Sequence, residues 1–241
     1  MGDVYRLTLR QLVRGKRPIL LLLVPLAPAV IAFAYMLGGG SGTTRRDAFA
    51  GIVESVFIPI AVALVALVLG ASAIGDERED GTILYLVATP LPRRKLILGK
   101  LLAAWTAVFA TCLPGLLLCL VFVFRGRLDA SEVGWSIAAL LGCSLAYVAV
   151  FGLLSLVVRR PVLIGFLYIV LWEGSIANVA PSADKLSIAA YGRALVAHGL
   201  GAARTFNVPK VSAATASVVL LAVSVVATLY AAHRLTRVEL P

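Results

Sequence analysis

Apolar residues fall in six long, nearly unbroken blocks, parted by short clusters of charge, glycine and proline. The blocks are residues 18–37, 52–74, 101–124, 133–158, 162–180 and 211–232. Each can cross about 30 Å of hydrocarbon as a helix, which takes roughly 17–25 residues, more when tilted. The fourth and fifth blocks are separated only by Arg159-Arg160-Pro161. Two guanidinium groups in hydrocarbon are costly, so this tripeptide is expected to be a tight turn. Pro25, Pro28, Pro59 and Pro114 lie inside blocks. They predict kinks, which membrane helices tolerate when neighbours satisfy the freed carbonyls.

Two flanking segments follow a different pattern. In residues 3–17, Arg6, Arg10, Arg14 and Arg17 share one helical stripe, with Val4, Tyr5, Leu9 and Leu12 opposite. This predicts an interfacial helix with its basic face toward anionic headgroups, or a plain positive topology signal. Residues 181–210 form the longest segment between spans. Within it, Leu186 to Leu200 is apolar but interrupted by Arg193, His198 and glycines. It is too short and too polar to span, and is expected to lie on the outer surface or to re-enter the membrane.

Composition agrees with this pattern. Of 241 residues, 61% are apolar and 14% charged, against roughly 45–50% and 25% in soluble domains. Mean hydropathy is +0.98. The expected fold class is all-α: a polytopic membrane protein with six transmembrane helices in one domain, 1–241. A formal charge of +10 would suggest nucleic acid in a soluble chain. Here the basic residues collect at span ends, so no nucleic-acid partner is expected, only the lipid bilayer. With both termini cytoplasmic, fourteen Lys and Arg residues fall inside and eight outside, which favours that orientation.

Several chemistries lack their residues. Phosphate-cradling loops end in Gly-Lys-Ser/Thr, whereas Gly15-Lys16 is followed by Arg17 and Gly99-Lys100 by Leu101. His198 and His233 are the only histidines and lie outside the spans, so a serine nucleophile there has no histidine base. Cys112, Cys119 and Cys143 fit no zinc spacing, and Met36 is the only methionine after the initiator. No catalytic residue, metal or cofactor is expected in this chain.

The most informative stretch lies between the second and third blocks. An acidic cluster, Asp76-Glu77-Arg78-Glu79-Asp80, precedes Gly81-Thr82. An apolar run, Ile83 to Ala88, then leads to Thr89-Pro90. Leu91-Pro92-Arg93-Arg94-Lys95 opens the next span, which carries Gly99-Lys100. Thr82 suits a helix cap and Pro92 a first helical turn. A short apolar helix with acidic neighbours, held along the inner membrane surface, would offer a docking face to a cytoplasmic protein. The bland reading is a solvated charged loop.

This stretch resembles the first cytoplasmic loop of ABC-2 type permeases, the membrane subunits of ATP-driven exporters. The family pattern is Glu-Arg/Lys-Glu-x-Gly-Thr, an apolar run, Thr/Ser-Pro, basic residues, then Gly-Lys. Glu77, Arg78, Glu79, Gly81, Thr82, Thr89, Pro90, Arg93, Gly99 and Lys100 match it in register, while Pro92 replaces the usual Ser or Thr. Trp172-Glu173 is similar to a Trp-Glu pair in some small bacterial members. The resemblance implies two permease subunits, a homodimer, assembled with two separately encoded cytoplasmic ABC ATPase subunits in the cell inner membrane. The ATPases would bind the ATP and Mg. Residues 76–90, with Asp76 at their start, would form a coupling helix seated in the ATPase.

Glu173 lies near the middle of the fifth block. A charge at that depth costs roughly 2.5–3.5 kcal/mol on insertion scales, which makes such residues functional candidates. It is expected to line the pathway or couple the spans, or else to bond a neighbouring helix. Asn178 is a lesser candidate. Glu54, at the outer mouth of the second block, is expected to be solvated. Two alternatives stand beside the permease reading: a proton-coupled secondary transporter using Glu173, and a membrane anchor that recruits a cytoplasmic protein.

Overall fold

Long apolar segments in lipid must satisfy their backbone groups internally, and helices do so. The computed structural model describes residues 2–13, 17–38, 44–79, 93–176, 186–201 and 211–236, and among them every element of three residues or more is helical. Helix α1 is Gly2–Val13 and α2 is Arg17–Leu37. Helix α3 covers 45–79, α4 is Arg93–Phe124 and α5 is Ala130–Val157. Helix α6 covers 161–176, α7 is Ile188–Leu200 and α8 is Ala213–Thr236. Four stretches, Arg45–Gly75, Lys95–Phe124, Ala130–Val157 and Ala213–Arg234, are long and apolar enough to cross a membrane. Leu21–Leu37 and Pro161–Gly174 are shorter apolar helices.

Helix α5 is the central element, packed against α3, α4, α7 and α8. Its Tyr147 and Phe151 are buried and stacked, with ring centroids 5.8 Å apart. Leu23 and Val30 of α2, Leu163 and Phe166 of α6, and Val218 and Val226 of α8 are exposed, as side chains meeting lipid would be. Helix α2 crosses α4 at close range. Gly115 sits so near the Pro25 carbonyl that an added Cβ would lie 2.3 Å from its oxygen.

Helix α3 starts at Arg45, before the apolar block begins at 52, because Thr44 caps it by accepting from the Asp47 N–H. Its middle, Val53–Val62, is π-helical and contains Pro59. A proline lacks the N–H and crowds the carbonyl four residues back, so a widened turn accommodates it. Helix α1 docks its Tyr5, Thr8 and Leu12 side on the bundle. Thr8 and Leu12 are buried, the Tyr5 hydroxyl donates to Thr106 Oγ1 at 3.2 Å, and Arg6 and Arg10 stay exposed.

Opposite charges tie the helix ends at one face. Arg46 Nε donates to Glu132 Oε1 at 2.9 Å, and Arg46 Nη2 reaches Asp129 Oδ2 at 3.2 Å. Arg125 donates to the Met36 carbonyl at 2.9 Å. Glu132 is 2% exposed, so removing its arginine strips a buried carboxylate. Arg46→Ala is expected to lower stability by about 1–2 kcal/mol, read as reduced thermal stability in detergent. Asp129→Ala, whose partner atoms are exposed, should cost less.

Candidate functional site

Helix α7 organises the site. It runs antiparallel to the first half of α5. Its first residue sits by the middle of that helix, where Cys143 Sγ lies 3.8 Å from the Ile188 carbonyl. Its last turn reaches the start of α5, where Ser131 Oγ meets the Gly199 carbonyl at 3.5 Å and Trp135 packs edge-on to His198. Thirteen residues span about 20 Å, more than half of a roughly 30 Å core but not all of it. Ile188, Ala189, Ala190, Gly192, Arg193, Ala194, Leu195 and Val196 are buried. The segment therefore packs inside the bundle along α5 rather than lying on its surface. Gly192 and Gly199 face α5 so closely that a Cβ would lie 2.3 Å from Cys143 Sγ or 2.5 Å from Trp135 Cβ. Small residues permit this approach where lipid offers no hydrophobic drive between helices.

A helix that begins inside the protein leaves N–H groups and the positive end of its dipole to be satisfied away from water. Glu173 meets that need. Its Oε1 accepts from the Ile188 N–H at 3.1 Å and from the Tyr168 hydroxyl at 3.0 Å. Its Oε2 accepts from Ser187 Oγ at 2.5 Å. Ser187, the N-cap, in turn accepts from the Ala190 N–H at 3.1 Å. Glu173 and Tyr168 lie on the π-helical part of α6, Tyr168–Ile176, whose wide turn brings residues five apart toward one face. Glu173 is 2% exposed. Tyr147 of α5 is fully buried beside the same carboxyl group.

A buried ion pair lies further along α7. Arg193 Nη1 sits 3.4 Å from Glu54 Oε1 of α3, with the arginine side chain 4% and the glutamate 22% exposed. Glu54 is thus half-buried and paired, contrary to the expectation of a solvated side chain. Arg193 lies within the protein rather than on an outer loop. The pair joins residues 139 positions apart, so no local pattern announces it. The sequence signal was only an arginine inside an apolar fifteen-residue stretch.

At the other end of α3, the matched Gly99-Lys100 has a direct structural part. Both residues are buried, and Lys100 Nζ donates to the Ala73 carbonyl at 3.3 Å. The ammonium group thereby ties α4 to α3 just before Asp76, where the acidic cluster begins. Lys100→Ala is expected to lower stability by about 1–3 kcal/mol, measurable by thermal unfolding. Asp76, Glu77, Arg78 and Glu79 continue α3 helically, and Arg93 opens α4. Their side chains, together with Gly81, Thr82, Pro90 and Asn178, lie outside the described residues.

The arrangement contains helices of membrane-crossing length, a short buried helix seated on a buried carboxyl group, and two helices tied to each other near the α3–α4 connection. Sequence comparison decides the family: that of the ABC-2 family transporter protein matches residues 4–240. The chain belongs to the ABC-2 transporter family. None of the curated proteins compared with the chain matches it. As an ABC-2 transporter protein it is a membrane component of a transport system, not itself catalytic. Its apolar helices agree with a multi-pass membrane protein.

Proposed function

We propose that this chain is the permease subunit of an ATP-driven exporter. A separate ABC ATPase would move it through the connection between α3 and α4. The observation that carries this reading is the family match over residues 4–240, joined to the Lys100–Ala73 tie beside that connection. A partner pushing on the connection would move both helices, because their ends are fastened to each other. Residues 76–90 are the coupling segment, with Asp76, Glu77 and Glu79 supplying its acidic charge. The termini and this connection face the cytoplasm of the cell inner membrane, supported by fourteen basic residues against eight. Two copies pair around the pathway, and the ATPases hold ATP and Mg.

Glu173 acts in this scheme as a positioning residue. Its hydrogen bonds go to Tyr168, Ser187 and the start of α7, which favours a structural seat over a proton pathway. The experiment is co-purification of the tagged chain with its ATPase. Glu79→Ala, or reversal of the charges at 76–80, should reduce recovered ATPase at least tenfold while the permease remains folded. Undiminished recovery would overturn the coupling assignment.

A further inference from the structure

We propose that the π-helical stretch of α6, Tyr168–Ile176, is a two-position switch for α7. In its wide form it presents Glu173 to the start of α7. In α-helical form it withdraws Glu173 and frees that seat. The device belongs to the chain alone and needs no ATPase.

The described residues contain two long π-helical stretches, Val53–Val62 of α3 and Tyr168–Ile176 of α6. The two pack against each other, and the α3 stretch also packs on α7. Each carries a carboxylate bonded to α7: Glu54 to Arg193, and Glu173 to the Ile188 N–H. Such turns are rare and recur at functional sites. Their causes here differ. The α3 stretch contains Pro59, whose ring and missing N–H disfavour the α form whatever surrounds them. The α6 stretch has no proline. Its Ile169-Val170-Leu171-Trp172 run suits an ordinary α-helix, so contacts, not covalent structure, hold it wide.

Those contacts centre on Glu173. The Tyr168 hydroxyl reaches Glu173 Oε1 at 3.0 Å across five residues. In an α-helix, residues five apart point about 140° from each other, so this bond is made in the wide form and lost in the narrow one. The same narrowing turns Glu173 away from Ser187 and Ile188, which it holds in the wide form. Little else resists the turn. Helix α6 meets the protein along a narrow stripe, Gly165, Ile169 and Glu173, whereas Phe166, Leu167, Val170 and Leu171 are exposed. Rotation beyond Ile169 therefore disturbs few packed side chains. The α3 stretch meanwhile keeps Glu54 on Arg193, so α7 is unseated at its start and stays tethered at its middle.

The test follows Cys143, buried against Ile188 and Gly192, in the full chain purified with Cys112 and Cys119 replaced by alanine. Its slow labelling by a maleimide over hours reports how often α7 leaves its seat. Tyr168→Phe keeps the ring against Phe151 and removes the bond peculiar to the wide form. It should raise the labelling rate about fivefold, the effect of one ordinary hydrogen bond. Gly174, like Pro59, is the seventh residue of its stretch, so Gly174→Pro copies the fixed arrangement of α3. Added to Tyr168→Phe, it should return the rate to that of the wild type. A helix merely weakened by a lost hydrogen bond would be weakened further by proline. Deletion of Leu171 gives a second reading that needs no proline. It places Tyr168 and Glu173 four apart, on one face of an α-helix, so Glu173 keeps its hold without a wide turn. In that background Tyr168→Phe should no longer raise the rate. The switch is overturned by labelling that Tyr168→Phe leaves unchanged, or by a double variant labelled as fast as Tyr168→Phe alone or faster. A Tyr168→Phe effect that persists in the deletion background also overturns it. With no ATPase in the sample, this result and the coupling assignment fail separately.

Discussion

Glu173→Leu is expected to unseat α7 and to destabilise the protein by about 3–5 kcal/mol. The leucine fills similar space but removes the acceptor for three donors: the Tyr168 hydroxyl, the Ser187 hydroxyl and the Ile188 N–H. The Ser187 and Ile188 donors are buried away from water, and a buried donor left alone costs about 1–3 kcal/mol. The losses are not additive, since Tyr168 and Ser187 can turn away. Glu173→Gln is expected to be much milder. Its amide oxygen can still serve Tyr168 and Ile188, and its NH₂ can donate to Ser187 Oγ. A native reporter is at hand, because Cys143 lies beneath α7, buried against Ile188 and Gly192. In a background with Cys112 and Cys119 replaced by alanine, Cys143 should be inert to thiol reagents in the wild type and in Glu173→Gln. It should become reactive in Glu173→Leu. Unreactive Cys143 together with unchanged stability would show that α7 does not depend on this carboxyl group.

Gly115→Val should have an effect of similar size, by a different cause. The first added carbon would lie 2.3 Å from the Pro25 carbonyl oxygen and 2.8 Å from its carbon. Backbone cannot swing aside as a side chain does, so α2 and α4 must separate. Overpacking generally costs about 1–3 kcal/mol and sometimes more, and a β-branched residue against main chain belongs at or above the top of that range. Loss of monodisperse protein on size exclusion is the expected result, with Gly115→Ala intermediate. A Gly115→Val protein as stable as the wild type would show that α2 does not pack so close to α4.

The features legible in the sequence were those that depend on neighbours along the chain. The apolar blocks and the helical stripe in residues 3–17 follow from hydropathy and helical spacing, and the structure has helices in each; at Arg159-Arg160 it has the expected break between α5 and α6. The buried carboxyl group at Glu173 was legible as a candidate, because an acid deep in an apolar block has few explanations. Its partners were not. Ser187 is fourteen residues away across a segment with no clear period, and Tyr168 comes close because the helix widens there.

The burial of α7 is not legible in the sequence for a comparable reason. Arg193 and His198 lower the hydropathy of 186–200, and only the pairing with Glu54 and the close seat of Gly192 on Cys143 allow burial. The early start of α3 at Arg45 depends on a cap and on Arg46 meeting Glu132, 86 positions on. Hydropathy registers neither.

The coupling role rests on which protein touches the α3–α4 connection. A photo-reactive amino acid placed at Tyr85, in the apolar run of that connection, reads the contact in intact cells. The account predicts a cross-link to a nucleotide-binding subunit that is lost when the charges at 76–80 are reversed. Labelling of residue 85 by an impermeant reagent applied outside the cell, with no cross-link to an ATPase, would contradict it.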